Sequence, residues 1–126
     1  MSVPFNPLGR LIVVTATVFG PRGDRAVRLA LDTAATETAI SRRVLAIIGI
    51  DMLTAPTVPV TMGGGIVSVP LVTVDHLEAL GQTQSGLTIQ AHTLPPSLPI
   101  DGLLGLDFIR KQRLVVDFRT GRISLT

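Results

Sequence analysis

One short segment of the sequence combines a carboxylate with very small neighbours. Asp32 follows an alternating apolar stretch at 27–31, and Thr33, Ala34 and Ala35 come directly after it. The alternation predicts a half-buried strand that ends near Asp32, and the small side chains let a substrate approach the carboxylate closely. Such a carboxylate can serve as a general acid or base. An Asp-Thr pair after a strand is also typical of an Asx turn or a helix cap, so both interpretations stay open here.

A second segment, later in the sequence, has a complementary pattern. Leu103 and Leu104 are followed by Gly105, and a short helical pattern and two strand-like stretches then extend to Leu125. Together the two segments resemble the retropepsin-like aspartic proteases. In that family an Asp-Thr/Ser-Gly-Ala motif supplies the catalytic acid, and an apolar pair followed by glycine packs beneath it.

The resemblance extends over residues 10–125. Asp32, Thr33 and Ala35 match the first motif, and the apolar pair and glycine at 103–105 match the second, where they would support the active site from beneath. The family membership that this implies assigns Asp32 as the catalytic acid. It assigns Thr33 to bracing the two active-site loops.

The fold implied by the resemblance is all-β. We expect a closed β-barrel of the retropepsin-like acid protease type with one or two short helices, formed by residues 1–126 as a single domain and paired as a homodimer. Ala34 and Ala35 would complete the active-site loop beside the catalytic residues Asp32 and Thr33.

Two departures from the family pattern concern the site itself. Ala34 stands where the family normally has glycine, and its methyl group either narrows the cleft, alters the hydrogen bonding of substrate to the floor, or marks a chain without activity. In viral members an acidic residue soon after the catalytic aspartate commonly pairs with an arginine directly after the second-motif glycine. Thr36 and Leu106 occupy those two places, so this ion pair is jointly absent.

Aspartic-protease chemistry requires two carboxylates that share one proton around a water molecule. The chain has a single Asp-Thr motif, so a competent site predicts a symmetric homodimer in which Asp32 is contributed twice. Such a pair has one pKa raised, which predicts best activity below neutral pH. Four other aspartates lack the small-residue turn: Asp75, Asp101, Asp107 and Asp117. Of these, Asp107 is predicted on a helix surface and Asp117 on a strand surface.

Two β-rich segments, 57–62 and 66–74, are joined by three glycines and predict a hairpin. In the protease interpretation this hairpin is the flap that closes over an extended peptide, whereas an ordinary solvent-exposed glycine turn explains the same residues. The flap residues are predicted to be Met62, Gly63, Gly64, Gly65 and Ile66. Apolar residues proposed to line substrate pockets are Ile40, Val60, Ile66, Val69 and Leu104.

The remaining pattern predicts further elements. The segment 10–19 is rich in β-branched residues and predicts a strand that turns at 20–24 and returns toward Asp32. Arg42 to Ile48 predicts a short helix with Ser41 as its N-cap. A connecting turn is predicted at 76–81, then a strand at 87–93. Ile123–Thr126 is β-rich, and the resemblance implies that such terminal strands interleave between the two subunits of a dimer.

Composition excludes several classes of function. The 126 residues contain no cysteine, which excludes disulfides and thiolate metal sites, and the two isolated histidines predict no metal and no cofactor. A net charge of +2, with no Trp or Tyr and four Phe, predicts a solvated basic face and no nucleic-acid partner. The sequence has neither a secretory-signal pattern nor a spanning apolar run, so we expect a cytoplasmic protein without a membrane partner.

The sequence therefore favours an aspartic endopeptidase that acts on extended peptide or protein substrates as a homodimer, with Asp32 catalytic. Two alternatives stay open. One is a catalytically inactive dimeric module of the same fold that binds peptide or protein. The other is a small basic β-barrel that binds polyanions, whose affinity would collapse with salt.

Overall fold

The structure is a computed structural model that describes residues 1–126 apart from the side chain of Met62. The described residues contain ten strands and two short helices. In chain order they are β1 (Ser2–Pro4), β2 (Val13–Gly20), β3 (Gly23–Leu31), β4 (Ala39–Ser41), α1 (Arg42–Ile47), β5 (Thr57–Met62), β6 (Gly65–Ala79), β7 (Gln82–His92), β8 (Gly102–Leu104), α2 (Leu106–Ile109), β9 (Leu114–Asp117) and β10 (Arg122–Leu125).

Six strands form a closed barrel. Their order is β2-β3-β8-β4-β7-β6, and a further pairing between β6 and β2 closes the ring. Neighbouring strands are antiparallel except for the parallel pairs of β3 with β8 and β4 with β7. The first part of β6, Gly65–Pro70, pairs with β5 and forms a hairpin beyond the barrel. The predicted all-β barrel with two short helices is therefore confirmed.

Apolar side chains from the strands fill the barrel, and both helices close it. On β3, Val27 and Leu29 are buried and Arg28 is exposed, as the period of a half-buried strand requires. Each helix adds two buried side chains to the same core: Val44 and Leu45 from α1, and Phe108 and Ile109 from α2. No helix of the described residues has the length and apolarity needed to cross a membrane.

The turn predicted at 76–81 is wrong in its extent. β6 continues to Ala79 and pairs with β7, so the turn is confined to Leu80 and Gly81, which have positive φ angles of 53° and 76°. Two consecutive exposed residues at 75–76 interrupt the alternation of buried and exposed side chains. This interruption makes a continuous strand resemble a polar connection in the sequence.

A second sheet holds the two ends of the described chain together in the order β1-β10-β9. The prediction that 123–126 interleaves with a partner subunit is wrong for this strand, because β1 and β9 already occupy both edges of β10. Ile123 and Leu125 on β10 are buried, so the strand is a central element of this sheet. The strand β1 was not predicted, since three residues carry too short a pattern.

The strand β8 brings the second motif beside the first. It pairs with β3 so that Leu29 lies opposite Gly102 and Leu31 lies opposite Leu104. A methyl group placed on Gly102 would overlap the backbone oxygen of Ala39 on β4. The glycine therefore allows β8 to pass close to β4 while it remains paired with the strand that ends at the catalytic candidate.

Replacing this glycine is expected to disrupt the barrel. Gly102→Ala should lower the free energy of unfolding by about 3 kcal/mol or prevent folding, because the added methyl meets backbone rather than a flexible side chain. Gly64→Ala is the matched control, since Gly64 has no neighbour within 4 Å and no positive φ, and it should stay within about 1 kcal/mol of the parent. Urea unfolding measures both; equal effects would contradict the close approach at Gly102.

Candidate active site

Asp32 follows the last residue of β3 and begins a loop at residues 32–38, called the Asp32 loop below. Its N–H donates to the Leu104 carbonyl at 3.0 Å, and its carbonyl accepts from the Ala35 N–H at 3.1 Å. The carboxylate Oδ1 accepts from the Ala34 N–H at 2.9 Å, and the side chain is half-buried. The two interpretations of the sequence, an Asx turn and an accessible carboxylate, therefore both apply. The turn holds the carboxylate while part of it faces solvent.

Backbone hydrogen bonds join the Asp32 loop to the beginning of α2. The Leu106 N–H donates to the Ala35 carbonyl at 2.8 Å, and the Asp107 N–H donates to the Thr36 carbonyl at 3.1 Å. Thr36 and Leu106 are the two uncharged residues at the places of the absent ion pair. Main-chain bonds thus connect the stretches that an ion pair joins in viral members.

The second motif lies directly against the Asp32 loop. Leu104 is fully buried in the core, Gly105 is buried and Leu103 is half-buried. A Cβ atom on Gly105 would lie 2.7 Å from the Glu37 carbonyl carbon and 2.9 Å from the Ala35 oxygen. Only a residue without a side chain allows the two backbones this separation, which explains the glycine in physical terms.

Two residues that sequence reasoning missed connect these segments through their side chains. Thr38 is fully buried, and its hydroxyl donates to Asp107 Oδ1 at 2.7 Å while accepting from the Gly105 N–H at 3.1 Å. The Thr38 N–H also donates to Asp107 Oδ2 at 2.8 Å. The prediction that Asp107 is a helix-surface residue is therefore wrong. An acidic residue in the first turn of a helix that follows glycine is the signal that was available.

A family model described as aspartyl protease matches residues 14–108, a range that includes both motifs. The chain belongs to the aspartyl protease family. Its fold is retropepsin-like: a solved structure of a retropepsin-like aspartic protease from Rickettsia conorii is similar with a TM-score of 0.69 and 16% identity, over 99% of this chain and 88% of that chain. No curated protein matches the sequence.

Ala34 adopts a conformation that an alanine tolerates. Among the non-glycine residues that the structure describes, positive φ angles occur at Leu80 and Lys111 and not at Ala34. Ala34 and Thr33 are both exposed. The glycine usual in this aspartyl protease motif is thus not required here by backbone geometry.

The predicted flap is a hairpin of β5 and β6. Met62 pairs with Gly65 across a turn at Gly63 and Gly64, and Gly65 has a φ of 134°, a value that favours glycine. The side chain of Ile66 is 73% exposed. The predicted role of the Met62 side chain lies outside the described part of the structure.

The proposed pocket linings are corrected in part. Ile40 and Leu104 are fully buried, so these two side chains pack inward rather than line a pocket. Val69 is 7% exposed and lines a surface cavity of about 240 Å³. Val60 is half-buried and Ile66 is exposed, so both are accessible on the hairpin. Uniform apolarity in the sequence does not distinguish the inner face of a strand from an accessible surface.

Two larger surface cavities lie beside the strands and connections of the barrel. One of about 620 Å³ has Arg10, Leu11, Arg28 and Leu98 among its lining residues. The other, of about 500 Å³, has Arg42, Arg43, His92 and Asp101 among them. Asp32 lines neither cavity, so its carboxylate lies outside both of them in the single chain.

The two histidines have different surroundings. Exposed His76 contacts Ser85 through Nδ1 at 2.9 Å. His92 is buried, with Nε2 at 2.7 Å from Gln90 Oε1, and Gln90 Nε2 in turn donates to Glu37 Oε1 at 3.3 Å. This chain of contacts reaches the Asp32 loop. Among the described residues, no cluster of three or more His, Cys, Asp or Glu could hold a metal ion.

Substitution of Ala34 by glycine is expected to destabilise the protein. Because Ala34 has no positive φ, its conformation is unstrained, and Ala34→Gly adds conformational freedom mainly to the unfolded chain. We expect the free energy of unfolding to fall by about 0.5–1 kcal/mol in urea titrations. A more stable glycine variant would show that the alanine is strained at this site.

Acidification is expected to destabilise the protein through His92. Burial lowers the pKa of His92, so the unfolded chain takes up this proton at a higher pH than the folded chain. The resulting stability is present above the ordinary histidine pKa of about 6.5 and is lost as the pH falls below it. His92→Gln should therefore lose less unfolding free energy than the parent between about pH 7.5 and about pH 5.

The control for this comparison is His76→Gln, because His76 is exposed. Urea unfolding at both pH values is measured for the parent and the two variants. We expect the His76 variant to follow the parent. If the His92 variant loses as much stability as the parent on acidification, burial of His92 does not contribute to acid sensitivity.

Proposed function

We propose that the chain is an aspartic endopeptidase whose active site forms at a homodimer interface from two copies of Asp32. The observation that carries this proposal is the placement of Asp32: the residue is half-buried, its carboxylate accepts from the Ala34 N–H at 2.9 Å, and its own backbone N–H donates to the Leu104 carbonyl of the second motif. The small exposed residues beside it leave access for a peptide.

The proposed reaction uses one ionised and one protonated Asp32 carboxyl. The ionised carboxylate takes a proton from a water molecule as the water oxygen attacks the peptide carbonyl carbon, and the protonated carboxyl donates its proton to the carbonyl oxygen. Collapse of the tetrahedral intermediate breaks the C–N bond: the protonated carboxyl donates its proton to the leaving amine nitrogen, and the ionised carboxylate takes a proton from one hydroxyl of the intermediate as the carbonyl of the acid forms. The products are a carboxylic acid and an amine, and the pair is restored to its singly protonated state.

A second copy of the chain is needed because each chain supplies one Asp-Thr motif. The exposed positions of Thr33 and Ala34 support a contact at this point, since neither side chain is used in the core of its own chain. In a symmetric dimer the same patch meets itself across the two-fold axis, which brings two equal carboxylates together. Thr33 would then brace the two Asp32 loops.

An extended peptide is the substrate class that this arrangement suits. The hairpin of β5 and β6 carries an exposed Ile66 at its tip. Its glycine turn has no side chains, so its backbone can lie close along a peptide main chain. Peptide main chain pairs readily with an extended strand, and side chains then alternate between the two sides. We assign residues 62–66 to the flap on this basis.

A second candidate function is a dimeric module of the same fold that binds peptide or protein without cleaving it. The observation that favours it is Ala34, which places a methyl group at the position where the family motif has glycine. Binding requires the accessible surface and the hairpin but not a shared proton. The two functions therefore differ in whether they depend on the carboxylate of Asp32.

The decisive variant is Asp32→Asn, which keeps the shape of the side chain and removes its ionisation. Purified parent protein should cleave a mixed peptide library with best activity below neutral pH, and the variant should lose about 10³-fold or more in rate because the proton can no longer be shared. Asp24→Asn is the matched control at the exposed beginning of β3, and it should cleave like the parent.

Sedimentation or light scattering of the same samples tests the oligomeric state. Cleavage by a dimer that disappears with Asp32→Asn and persists with Asp24→Asn supports the peptidase. Peptide capture by a folded parent dimer that cleaves at no pH contradicts it and favours the binding module.

A further inference from the structure

We infer that Asp107 is a positioning residue of the proposed active site, because its carboxylate fixes the far end of the Asp32 loop. The inference rests on the proposed function, since it concerns the placement of the catalytic carboxylate. Asp107 does not belong to either sequence motif, and it does not contact the Asp32 side chain in the described hydrogen bonds. Its effect is transmitted through Thr38, the last residue of the loop.

Three donors converge on the Asp107 carboxylate. The Thr38 hydroxyl and the Phe108 N–H donate to Oδ1 at 2.7 and 2.8 Å, and the Thr38 N–H donates to Oδ2 at 2.8 Å. One carboxylate thus binds both the backbone and the side chain of Thr38 and the backbone of its own helix. Hydrogen bonds to an ionised acceptor are stronger than neutral ones, which favours this group as an anchor.

The direction of the Thr38 hydroxyl is fixed by its second contact. Gly105 donates its N–H to Thr38 Oγ1 at 3.1 Å, so the hydroxyl proton is free to point to Asp107. The threonine is fully buried, and no water competes with these bonds at its side chain. Replacing either partner would leave a buried polar group without its bond, which is unfavourable.

The anchor lies at one end of a ladder whose other end is Asp32. From the catalytic candidate onward, the loop is joined to the second motif by the bond of Asp32 to Leu104, then by the bonds that Leu106 and Asp107 donate to the loop carbonyls. The side-chain bonds of Thr38 complete this series. When a loop is held at both ends, its first residue can occupy a smaller range of positions than when the loop is held at one end.

This anchor occupies the region of the ion pair that the chain lacks. Thr36 and Leu106 carry no charge, and the neighbouring Asp107 supplies a charge that binds the same loop two residues further along, at Thr38. The bonds of Thr38 to Asp107 therefore fix the loop against the helix in a chain without the ion pair.

Kinetics of Asp107→Asn test the assignment. The asparagine side chain can accept through one oxygen only, so it keeps one of the bonds to Thr38 and loses the other. We expect kcat to fall about tenfold or more with KM changed less than about threefold, since the peptide-binding surface is untouched while the catalytic carboxylate is less well placed. The dimer and the cooperative unfolding transition should persist.

Asp51→Asn is the matched control. Asp51 also accepts one backbone N–H and one threonine hydroxyl, from Leu53 and Thr54 at 2.9 and 2.8 Å, but in an exposed loop between α1 and β5. It therefore removes the same kind of hydrogen bonds away from the site, and its kcat should equal that of the parent. A fall in kcat of the same size in both variants overturns the assignment.

Thr38 provides a second pair of variants that does not alter the carboxylate. Thr38→Val keeps the shape of the side chain and removes the hydroxyl, and it should lower kcat as Asp107→Asn does. Thr38→Ser restores the hydroxyl and should recover most of the lost kcat. If Asp107→Asn does not fold, this pair decides: a valine variant that is folded and retains the parent kcat overturns the inference.

Failure of the inference can be distinguished from failure of the proposed function. If the parent protein cleaves and Asp32→Asn does not, the peptidase stands, and an unchanged kcat in the Asp107 and Thr38 variants overturns the positioning role alone. If the parent protein cleaves nothing, both proposals fall together. A loss of kcat confined to the Asp107 and Thr38 variants, with rescue by serine, supports the positioning role.

Discussion

The close approach of two backbones is the constraint on which the site depends. The strand β8 lies so near the Asp32 loop and β4 that a Cβ atom on Gly105 would meet backbone of the loop, and a Cβ atom on Gly102 would meet backbone of β4. This proximity lets the Asp32 N–H reach the Leu104 carbonyl at 3.0 Å. Without this close approach, the Asp32 loop would have no second motif beneath it. The barrel would also lack β8, the strand that lies between β3 and β4.

The rest of the molecule maintains this contact from two directions. The closed barrel fixes β3 and β8 as neighbours, with Leu29 and Leu104 buried in its core, so the strand ends cannot move apart without opening the core. Polar contacts then hold the loop itself, through the Asx turn at Asp32 and the bonds between Thr38 and Asp107. Apolar packing thus sets the position of the strands, and hydrogen bonds set the position of the carboxylate.

The elements with strong alternating patterns could be predicted from the sequence, and the long-range partners could not. The strand before Asp32, the hairpin at 57–74 and the short helix after Ser41 are each visible as local periodicity. The bond between Thr38 and Asp107 joins residues 69 positions apart, and no local pattern reports it. The pairing of β10 with β1 was missed for the same reason, since it depends on residues at the other end of the sequence.

The most direct test of the central claim asks whether one site is built from two chains. Parent protein and Asp32→Asn are mixed at a constant total concentration, allowed to exchange subunits, and assayed for peptide cleavage. If both carboxylates are required, mixed dimers are inactive, and activity falls as the square of the parent fraction. Activity that falls in direct proportion to the parent fraction would show that each chain acts alone and would contradict the account.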